Sequence, residues 1–268
     1  MTRPDAFAIA SRARGAARLL VLSDLDGTLI PIRMHPDLAV MDRRTRAILR
    51  RVARMPGVRL GIVSGRRLSA LRRAVGLPGL VYVGNHGLEI AVPGRTVVVP
   101  AARRSAAVMA RLSRELAGAL RGIRGTFVEP KGYTLSVHWR GAARRDARRF
   151  RRAVGAVLRP WLSRRAVRVT LGKRVIEVRP PVGWDKGSAV EWLARRWRHV
   201  RGQLMYFGDD RTDEDAFRAV NRRGGITVHV GPRARSTAAR WQLDGPGDVV
   251  RILEQLEETR CRQSPRGR

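Results

Sequence analysis

Cysteine, aromatic residues and long apolar runs are scarce in this sequence of 268 residues, and each scarcity excludes a class of protein. The single cysteine, Cys261, excludes a disulfide scaffold and any zinc or iron–sulfur site built from several cysteines, and it fits a reducing compartment. No uncharged apolar run approaches the roughly 18 residues needed to cross a bilayer. We therefore expect a soluble cytoplasmic protein without a membrane partner.

Acidic residues are also few, with 22 against 55 basic residues and a formal net charge of +33. Three of the basic residues are lysines, Lys131, Lys173 and Lys186, and the other 52 are arginines spread along the chain. A specific nucleic-acid-binding module would concentrate its charge on one face and interleave aromatics, which here make up only 5%. We expect weak, salt-sensitive attraction to polyanions and anionic metabolites, but no specific nucleic-acid partner.

Apolar residues make up 44% of the chain, and their pattern predicts an α/β fold. Short apolar runs predict buried strands at residues 19–22, 58–63, 80–83, 203–207 and 226–230, the last being the final core strand. Helical spacing occurs between them at residues 42–54, 68–75 and 186–197. Because polar residues gather just after the strand ends, the sequence predicts a Rossmann-like open, mostly parallel sheet with ligands at that edge.

A different pattern in the middle of the chain predicts an inserted α+β cap. Helices are predicted at residues 101–120 and 142–158, and strands at residues 126–129, 133–140, 167–171 and 175–179. We expect the cap to span residues 99–181 and the core to combine residues 1–98 and 182–268. Residues 1–17 predict a short amphipathic helix or a frayed end, and the tail after residue 258 is expected to be disordered.

Two groups of acidic side chains follow predicted strands. The first is Asp24 and Asp26, and the second is Asp209 and Asp210 with Asp213, Glu214 and Asp215 downstream. Buried like charges this close need a cation between them, and oxygen ligands without histidine or cysteine companions favour Mg²⁺. The other interpretation of residues 213–215 is an acidic helix start stabilised by the helix dipole.

Four segments resemble the motifs of the haloacid dehalogenase superfamily, in the order expected. They are DLDGTL at residues 24–29, SGR at 64–66, KG at 186–187 and GDDRTDED at 208–215. From residue 19 to about residue 250 the chain further resembles the trehalose-6-phosphate phosphatase family. That resemblance lies in GNHGLE at residues 84–89, EPKG at 129–132, SVHWR at 136–140 and IEVRP at 176–180.

The resemblance implies a Mg²⁺-dependent phosphatase of trehalose biosynthesis that releases trehalose and phosphate from trehalose 6-phosphate. It implies that Asp24 is the nucleophile and that Asp26 is the general acid and base. Mg²⁺ would be held by Asp24, Asp209 and the backbone carbonyl of Asp26. Ser64 and Lys186 would bind the phosphoryl oxygens.

The resemblance also implies where the sugar and the supporting contacts lie. Glu129, Lys131 and Glu177 of the cap would bind sugar hydroxyls, and Asn85 and His86 of the core would contribute. The supporting residues would be Gly65, Arg66, Asp210 and Asp213, with Arg66 either binding substrate or bracing the aspartates. A functional link to a trehalose-phosphate synthase is implied as well.

Several plainer interpretations stay open at this point. His86 could be an ordinary turn histidine, and Glu129 or Glu177 a solvated strand residue paired with arginine. A phosphatase for sucrose 6-phosphate or mannosyl-3-phosphoglycerate would share the four core motifs, and a catalytically idle nucleic-acid binder would share the scaffold. Trp184 and Asp185 depart from the family pattern, which leaves the shape of the sugar pocket open.

Overall fold

The computed structural model describes residues 6–13, 15–33, 38–172, 174–232 and 236–261. The chain divides into two compact units. The first, the core unit, combines Met1–Val97 and Trp184–Arg268, and the second, the cap unit, is Val98–Gly183. Lys173, to which the sequence assigned no role, lies outside the described residues.

Strands and helices of the described residues are numbered in chain order. The strands are β1 (Leu19–Ser23), β2 (Val58–Val63), β3 (Val81–Gly84), β4 (Glu89–Val92), β5 (Arg95–Val98), β6 (Phe127–Pro130), β7 (Leu135–His138), β8 (Arg168–Gly172), β9 (Val175–Arg179), β10 (Leu204–Gly208), β11 (Ile226–Val230) and β12 (Trp241–Leu243). The helices are α1 (Ala6–Arg12), α2 (Arg43–Arg54), α3 (Leu68–Val75), α4 (Pro100–Arg104), α5 (Ala106–Ala119), α6 (Ala147–Ser163), α7 (Lys186–Arg196), α8 (Glu214–Arg222) and α9 (Pro246–Cys261).

A sheet in the order β12-β11-β10-β1-β2-β3-β4-β5 forms the centre of the core unit. The strands from β12 to β3 are parallel, and β4 pairs antiparallel with β3. This confirms the expected open, mostly parallel α/β sheet. Because β1 lies between β10 and β2, the residues that follow these three strands emerge side by side at one edge.

Alternate residues of the central strands enter two apolar layers, which explains why the strands read as continuous apolar runs. Leu19 and Val21 of β1 pack in the layer that includes buried residues of α1, α2, α3 and α9. Leu20 and Leu22 pack in the opposite layer with buried residues of α7 and α8. With both faces covered, a polar side chain inside these strands needs a hydrogen-bond partner, as Tyr206 has in Asp213.

The cap unit is an antiparallel sheet in the order β6-β7-β9-β8. One face is apolar: Leu135, Val137 and Val178 pack with Leu116 of α5 and Phe150 of α6. The opposite face is polar, and register places four of its residues in one row across the strands: Glu129, Ser136, Glu177 and Thr170. The role of this unit in substrate specificity stays a prediction.

Three strands of the core sheet were absent from the sequence prediction. The segment after β3 was interpreted only as a polar motif, but it continues into β4 and β5, which are joined at Pro93-Gly94. The strand β12 follows β11, so the expectation that residues 226–230 form the last core strand is wrong. At three to four residues, these strands are too short to show a clear period of two.

Helix boundaries in the cap and at the carboxyl terminus also differ. The helix predicted at residues 101–120 is broken at Ser105 into α4 and α5. The helix predicted at residues 142–158 starts at Ala147, after a 3₁₀ turn, and extends to Ser163. The expected disorder after residue 258 is wrong for 259–261, because α9 continues to Cys261 and buries Thr259; residues 262–268 lie outside the described part. None of the described helices is long and apolar enough to span a membrane.

Candidate active site

Asp24 is a buried carboxylate held at the end of β1. Its backbone N–H donates to the carbonyl of Phe207 at 2.9 Å, which ties the ends of β1 and β10 together. The Lys186 ammonium donates to Asp24 Oδ1 at 2.7 Å and is itself buried. Among the described residues no hydrogen bond reaches Asp24 Oδ2, so the lysine fixes the carboxylate and leaves one oxygen for a substrate or a cation.

The start of α7 determines where Lys186 lies, because this lysine is the first residue of the helix. Asp185 caps the helix: its Oδ1 accepts hydrogen bonds from the Ser188 amide at 2.7 Å and from Ser188 Oγ at 3.0 Å. Trp184 Nε1 donates to the carbonyl of Gly87 at 2.7 Å. The two residues that depart from the family pattern therefore anchor the lysine.

Asp213 is fully buried and contacts both Lys186 and the backbone of Asp209. Its Oδ1 accepts hydrogen bonds from Lys186 Nζ at 2.8 Å and Tyr206 Oη at 2.7 Å. Its Oδ2 accepts the amides of Asp209 and Asp210, each at 3.2 Å. Four donors occupy the acceptor sites that a carboxylate offers, so Asp213 positions its neighbours and has no lone pair left for a metal.

The pKa values of Asp24 and Lys186 are both raised, although burial alone acts on them in opposite directions. Burial raises the pKa of the Asp24 carboxyl well above its ordinary value; Lys186 opposes that change, while Asp213 and Asp209 add to it. Burial acts to lower the pKa of Lys186, but the charges of Asp213 and Asp24 outweigh it, so the pKa lies above its ordinary value. Lys186 therefore stays charged, and a further positive charge beside Asp24 would oppose the rise in the pKa of its carboxyl.

Three carboxylates, Asp24, Asp209 and Asp213, each offer an oxygen within 4.8 Å of the others. Because Asp213 is saturated, Asp24 and Asp209 are the pair suited to a divalent cation. At Gly27, where φ is +93°, an added Cβ would lie 2.3 Å from Asp209 Oδ2, so only glycine leaves room for this carboxylate. A donor set of oxygens fits a hard cation such as Mg²⁺. The carbonyl of Asp26 as a further ligand stays a prediction.

Arg66 orients the carboxylate of Asp26. Arg66 Nε and Nη2 donate to the two carboxylate oxygens at 2.7 and 2.6 Å, a bidentate pair. Of the two interpretations open for Arg66, the structure shows the contact with an aspartate. Ser64, buried at the end of β2, accepts the Arg66 amide on its Oγ at 3.2 Å. The segment after β2 thus positions Asp26.

The turn after β3 contains two non-glycine residues in the left-handed region, Asn85 at φ 49° and His86 at φ 57°. Such residues cost about 1–3 kcal/mol each and persist only where the surroundings impose them. The Asn85 amide donates to the carbonyl of Arg66 at 2.7 Å, and the His86 amide donates to that of Ser64 at 3.0 Å. These bonds hold the turns after β2 and β3 against each other.

Side chains also hold together the turns that follow β2 and β3. Asn85 Nδ2 donates to Glu89 Oε2, which also accepts the amide of Leu68 at 3.1 Å. The ring of His86 lies against Gly65, where an added Cβ would be 2.5 Å from ring Cε1. Asn85 is completely buried and His86 nearly so. Both predicted sugar-binding residues therefore have a positioning role in the core; contact with a sugar stays a prediction.

The acidic segment 213–215 lies at a helix start, the second of the two interpretations left open by the sequence. Asp210 and Asp213 form a capping box at the 3₁₀ turn before α8. Glu214 accepts hydrogen bonds from Thr237 Oγ1 at 2.6 Å and from the Ala238 amide at 2.7 Å. Asp215 is exposed and pairs with Arg218 on the same helix at 3.0 Å. Only Asp213 belongs to the cluster around Lys186.

The polar face of the cap sheet holds a second cluster of charged residues. Lys131 is buried, with its Nζ 3.5 Å from Glu177 Oε1 and 3.9 Å from Glu129 Oε2. Ser136 Oγ donates to Glu177 Oε1 at 2.8 Å, and His138 Nε2 lies 2.8 Å from Glu129 Oε2. Burial acts to raise the pKa of Glu129, but His138 and Lys131 outweigh it and hold the pKa below its ordinary value. Both glutamates are largely shielded from solvent and lie beside the buried lysine, which differs from the solvated strand residue that the sequence left open.

Sequence reasoning missed three residues that complete these clusters. Tyr206 holds Asp213, Glu89 holds Asn85, and Ser136 holds Glu177. The signal for Tyr206 was a lone polar group inside a buried strand, where its hydroxyl needs a partner. Glu89 and Ser136 lay in quoted motifs but had no assigned contact.

The fold is that of a haloacid dehalogenase-like hydrolase. A hydrolase of that description from Bacteroides thetaiotaomicron matches over 89% of this chain and 99% of that chain, with TM-score 0.63 and 17% identity. The C-terminal domain of trehalose-6-phosphate phosphatase from C. albicans matches over 96% and 97%, with TM-score 0.84 and 24% identity. At these identities the matches establish the fold.

Sequence comparison narrows the class. Residues 22–247 match the trehalose-phosphatase family. A probable trehalose-phosphate phosphatase D of Arabidopsis thaliana is 34% identical over 97% of this chain and 72% of its own length. A trehalose-phosphate phosphatase of Mycobacterium bovis is 36% identical over 98% and 67%. The chain belongs to the trehalose-phosphatase family, and it is a phosphatase.

Proposed function

We propose that this phosphatase hydrolyses trehalose 6-phosphate to trehalose and phosphate through a phosphoryl group carried on Asp24, with Mg²⁺ as cofactor. The observation that carries the proposal is the orientation of Asp24: Lys186 holds Oδ1 at 2.7 Å, while Oδ2 is left without a hydrogen bond among the described residues. A nucleophile needs that combination of a fixed position and an available oxygen.

In the first step, Asp24 Oδ2 attacks phosphorus and the bond between phosphorus and the sugar oxygen breaks. Asp26 gives the departing sugar oxygen a proton, so trehalose leaves as a neutral alcohol. Arg66 keeps the Asp26 carboxyl in place through its two hydrogen bonds. Ser64 and the Lys186 ammonium offset the negative charge of the phosphoryl oxygens.

In the second step, water attacks the phosphorus of the aspartyl-phosphate. Asp26, now a carboxylate, accepts a proton from that water, and the bond between phosphorus and Asp24 Oδ2 breaks. Inorganic phosphate leaves and the Asp24 carboxylate is regenerated. Dividing one difficult displacement into two gives each a better leaving group.

Asp24 and Asp209 would hold Mg²⁺, and the cation supplies positive charge between an anionic nucleophile and an anionic phosphate. A cation there would act with Lys186 against burial and the neighbouring aspartates, which raise the pKa of Asp24. Asp213 contributes by fixing the amides of Asp209 and Asp210.

Sugar recognition is assigned to the polar face of the cap sheet. Glu129, Lys131 and Glu177 place two carboxylates around one buried ammonium, so adjacent acceptors and a donor are fixed in position. A disaccharide presents neighbouring hydroxyls that both donate and accept, which this array complements. The link to a trehalose-phosphate synthase stays a prediction.

A phosphate-release assay with three substrates tests the assignment: trehalose 6-phosphate, sucrose 6-phosphate and mannosyl-3-phosphoglycerate. We expect the highest kcat/KM with trehalose 6-phosphate and a loss of roughly 10⁴-fold or more in Asp24→Asn, which cannot form the acyl phosphate. Asp215→Asn is the matched control, because it makes the same carboxylate-to-amide change at an exposed position. A higher kcat/KM for either other substrate, or full activity in Asp24→Asn, would refute the proposal.

A further inference from the structure

A group of arginines lies at the end of β1 opposite to Asp24, where the parallel strands begin. Arg18 precedes β1, Arg59 is the second residue of β2, and Arg196 is the last residue of α7. Arg18 Nη2 donates to the backbone carbonyl of Trp197 at 2.7 Å. The Arg59 guanidinium lies over the Trp197 ring, 4.5 Å from its centroid. The arginines therefore converge on one tryptophan.

Acidic partners for these guanidiniums are missing from the part of the chain that the structure describes. There, Arg18, Arg59 and Arg196 form no ion pair with a carboxylate, whereas nearby Arg223 binds Glu191 at 2.9 and 2.8 Å. Burial, together with the charges of Arg18 and Arg196, lowers the pKa of Arg59. Arg18 and Arg59 both contact Trp197, the residue that follows Arg196, so an anion beside this tryptophan would offset several positive charges at once.

A buried histidine lies against the same group. His199 is 4% exposed, and neither ring nitrogen has a hydrogen-bond partner among the described residues. The ring lies edge-on to that of Trp197, with 6.5 Å between centroids, and burial together with the charges of Arg18, Arg59 and Arg223 lowers the pKa of His199 to about 4. A neutral imidazole offers one N–H donor. Leaving it unpaired in the interior costs free energy, so a polar ligand is its natural partner.

We propose that Arg18, Arg59, Arg196 and the ring of His199 form a second anion site, which binds a phosphate-class oxyanion as inorganic phosphate or as the phosphoryl group of a metabolite. Guanidinium groups match the oxygens of phosphate in geometry and in charge. The unpaired imidazole N–H is the further donor that the proposal assigns to the anion. The site is separate from Asp24, because the two lie at opposite ends of the same strand.

The test follows the His199 ring by NMR in the full chain carrying Asp24→Asn, so that no phosphomonoester is hydrolysed. Inorganic phosphate is added at constant ionic strength against chloride, and His199→Gln assigns the resonances. We expect a saturable change in the His199 signals and a rise of the His199 pKa from about 4, because an anion stabilises the charged ring. A parallel titration with glucose 6-phosphate separates the two sources: tighter binding than inorganic phosphate identifies a metabolite, and weaker binding identifies the free ion.

Two double variants distinguish a specific anion site from nonspecific attraction by the positive charge of the chain. Arg59→Gln with Arg196→Gln should weaken phosphate binding at least ten-fold while phosphatase activity, measured without the Asp24 change, is retained. The control, Arg43→Gln with Arg50→Gln, removes the same charge from exposed positions of α2. If near-ultraviolet circular dichroism shows that the first pair does not fold, Arg196→Gln alone replaces it. No saturable change at His199, an equal response to chloride, or equal weakening in both pairs would overturn the proposal.

Discussion

At the scale of the residue, Lys186 is the centre of the site because it contacts Asp24 and Asp213 together. Its ammonium is a compact charge that fits between two buried carboxylates. A guanidinium is planar and larger, so the same charge cannot take the same position. The chain carries 52 arginines and only three lysines, which makes a lysine here more informative than it would be in an ordinary composition.

Replacing Lys186 with arginine should therefore remove activity although the charge is kept. We expect kcat to fall by about 100-fold or more, as for the loss of one fixed donor at a developing charge. The measurement is steady-state phosphate release, with folding checked by circular dichroism. A Lys186→Arg variant with near wild-type kcat would show that charge alone, and not shape, matters at this position.

Gly27 has a separate role, since its missing side chain makes room for Asp209. In Gly27→Ala the new Cβ would come within 2.3 Å of Asp209 Oδ2 and displace that carboxylate. We expect the Mg²⁺ concentration needed for half-maximal activity to rise at least ten-fold. The control is Gly94→Ala, where φ is also positive at +76° but nothing lies within 4 Å. Equal Mg²⁺ dependence in the two variants would refute the role given to Gly27.

At the scale of the element, the residue that caps α7 helps to fix the position of Lys186, the first residue of the helix. Asp185 caps the helix that begins with Lys186, and Asp42 caps α2 by the same contact, accepting the amide of Thr45 at 2.8 Å. The two caps are chemically equivalent, but only Asp185 precedes a residue that contacts Asp24. Comparing variants of Asp185 and Asp42 therefore distinguishes a loss of stability from a loss of activity.

Asp185→Ala and Asp42→Ala should each lower the free energy of unfolding by about 1 kcal/mol, the usual cost of an N-cap aspartate. Only Asp185→Ala should also lower kcat, because it frees the first turn that holds the lysine. Urea unfolding and phosphate release measure the two effects. If kcat falls equally in both variants, the helix start does not position Lys186.

At the scale of the whole molecule, the sequence predicted the order of elements better than their ends. The strand predicted at residues 58–63 matches the bounds of β2, in which every residue except Arg59 is buried because both faces of a parallel sheet are covered. The strand β12 could not be found in this way, since three residues give no period. Likewise, the motifs placed Asp24 and Asp209 near each other, but the saturation of Asp213 depends on Tyr206, whose partner only the folded chain reveals.

The pH dependence of stability should reflect His199. Its pKa is about 4 in the folded chain against about 6.5 in an unfolded one, so the unfolded state binds more protons between these values. Stability contributed by the neutral ring is therefore present above pH 6.5 and lost as the pH falls toward 4. Urea unfolding from pH 7 to pH 4.5 should show a larger loss for the wild type than for His199→Gln. Parallel curves would mean that the ring is not buried as described.

The central claim is that Asp24 carries the phosphoryl group, and trapping that group tests it most directly. Rapid acid quenching of the enzyme during turnover of trehalose 6-phosphate, followed by peptide mass spectrometry, should show one added phosphoryl group on the peptide that contains Asp24. The modification should be absent in Asp24→Asn. Phosphoryl transfer to another residue, or turnover by Asp24→Asn, would contradict the account.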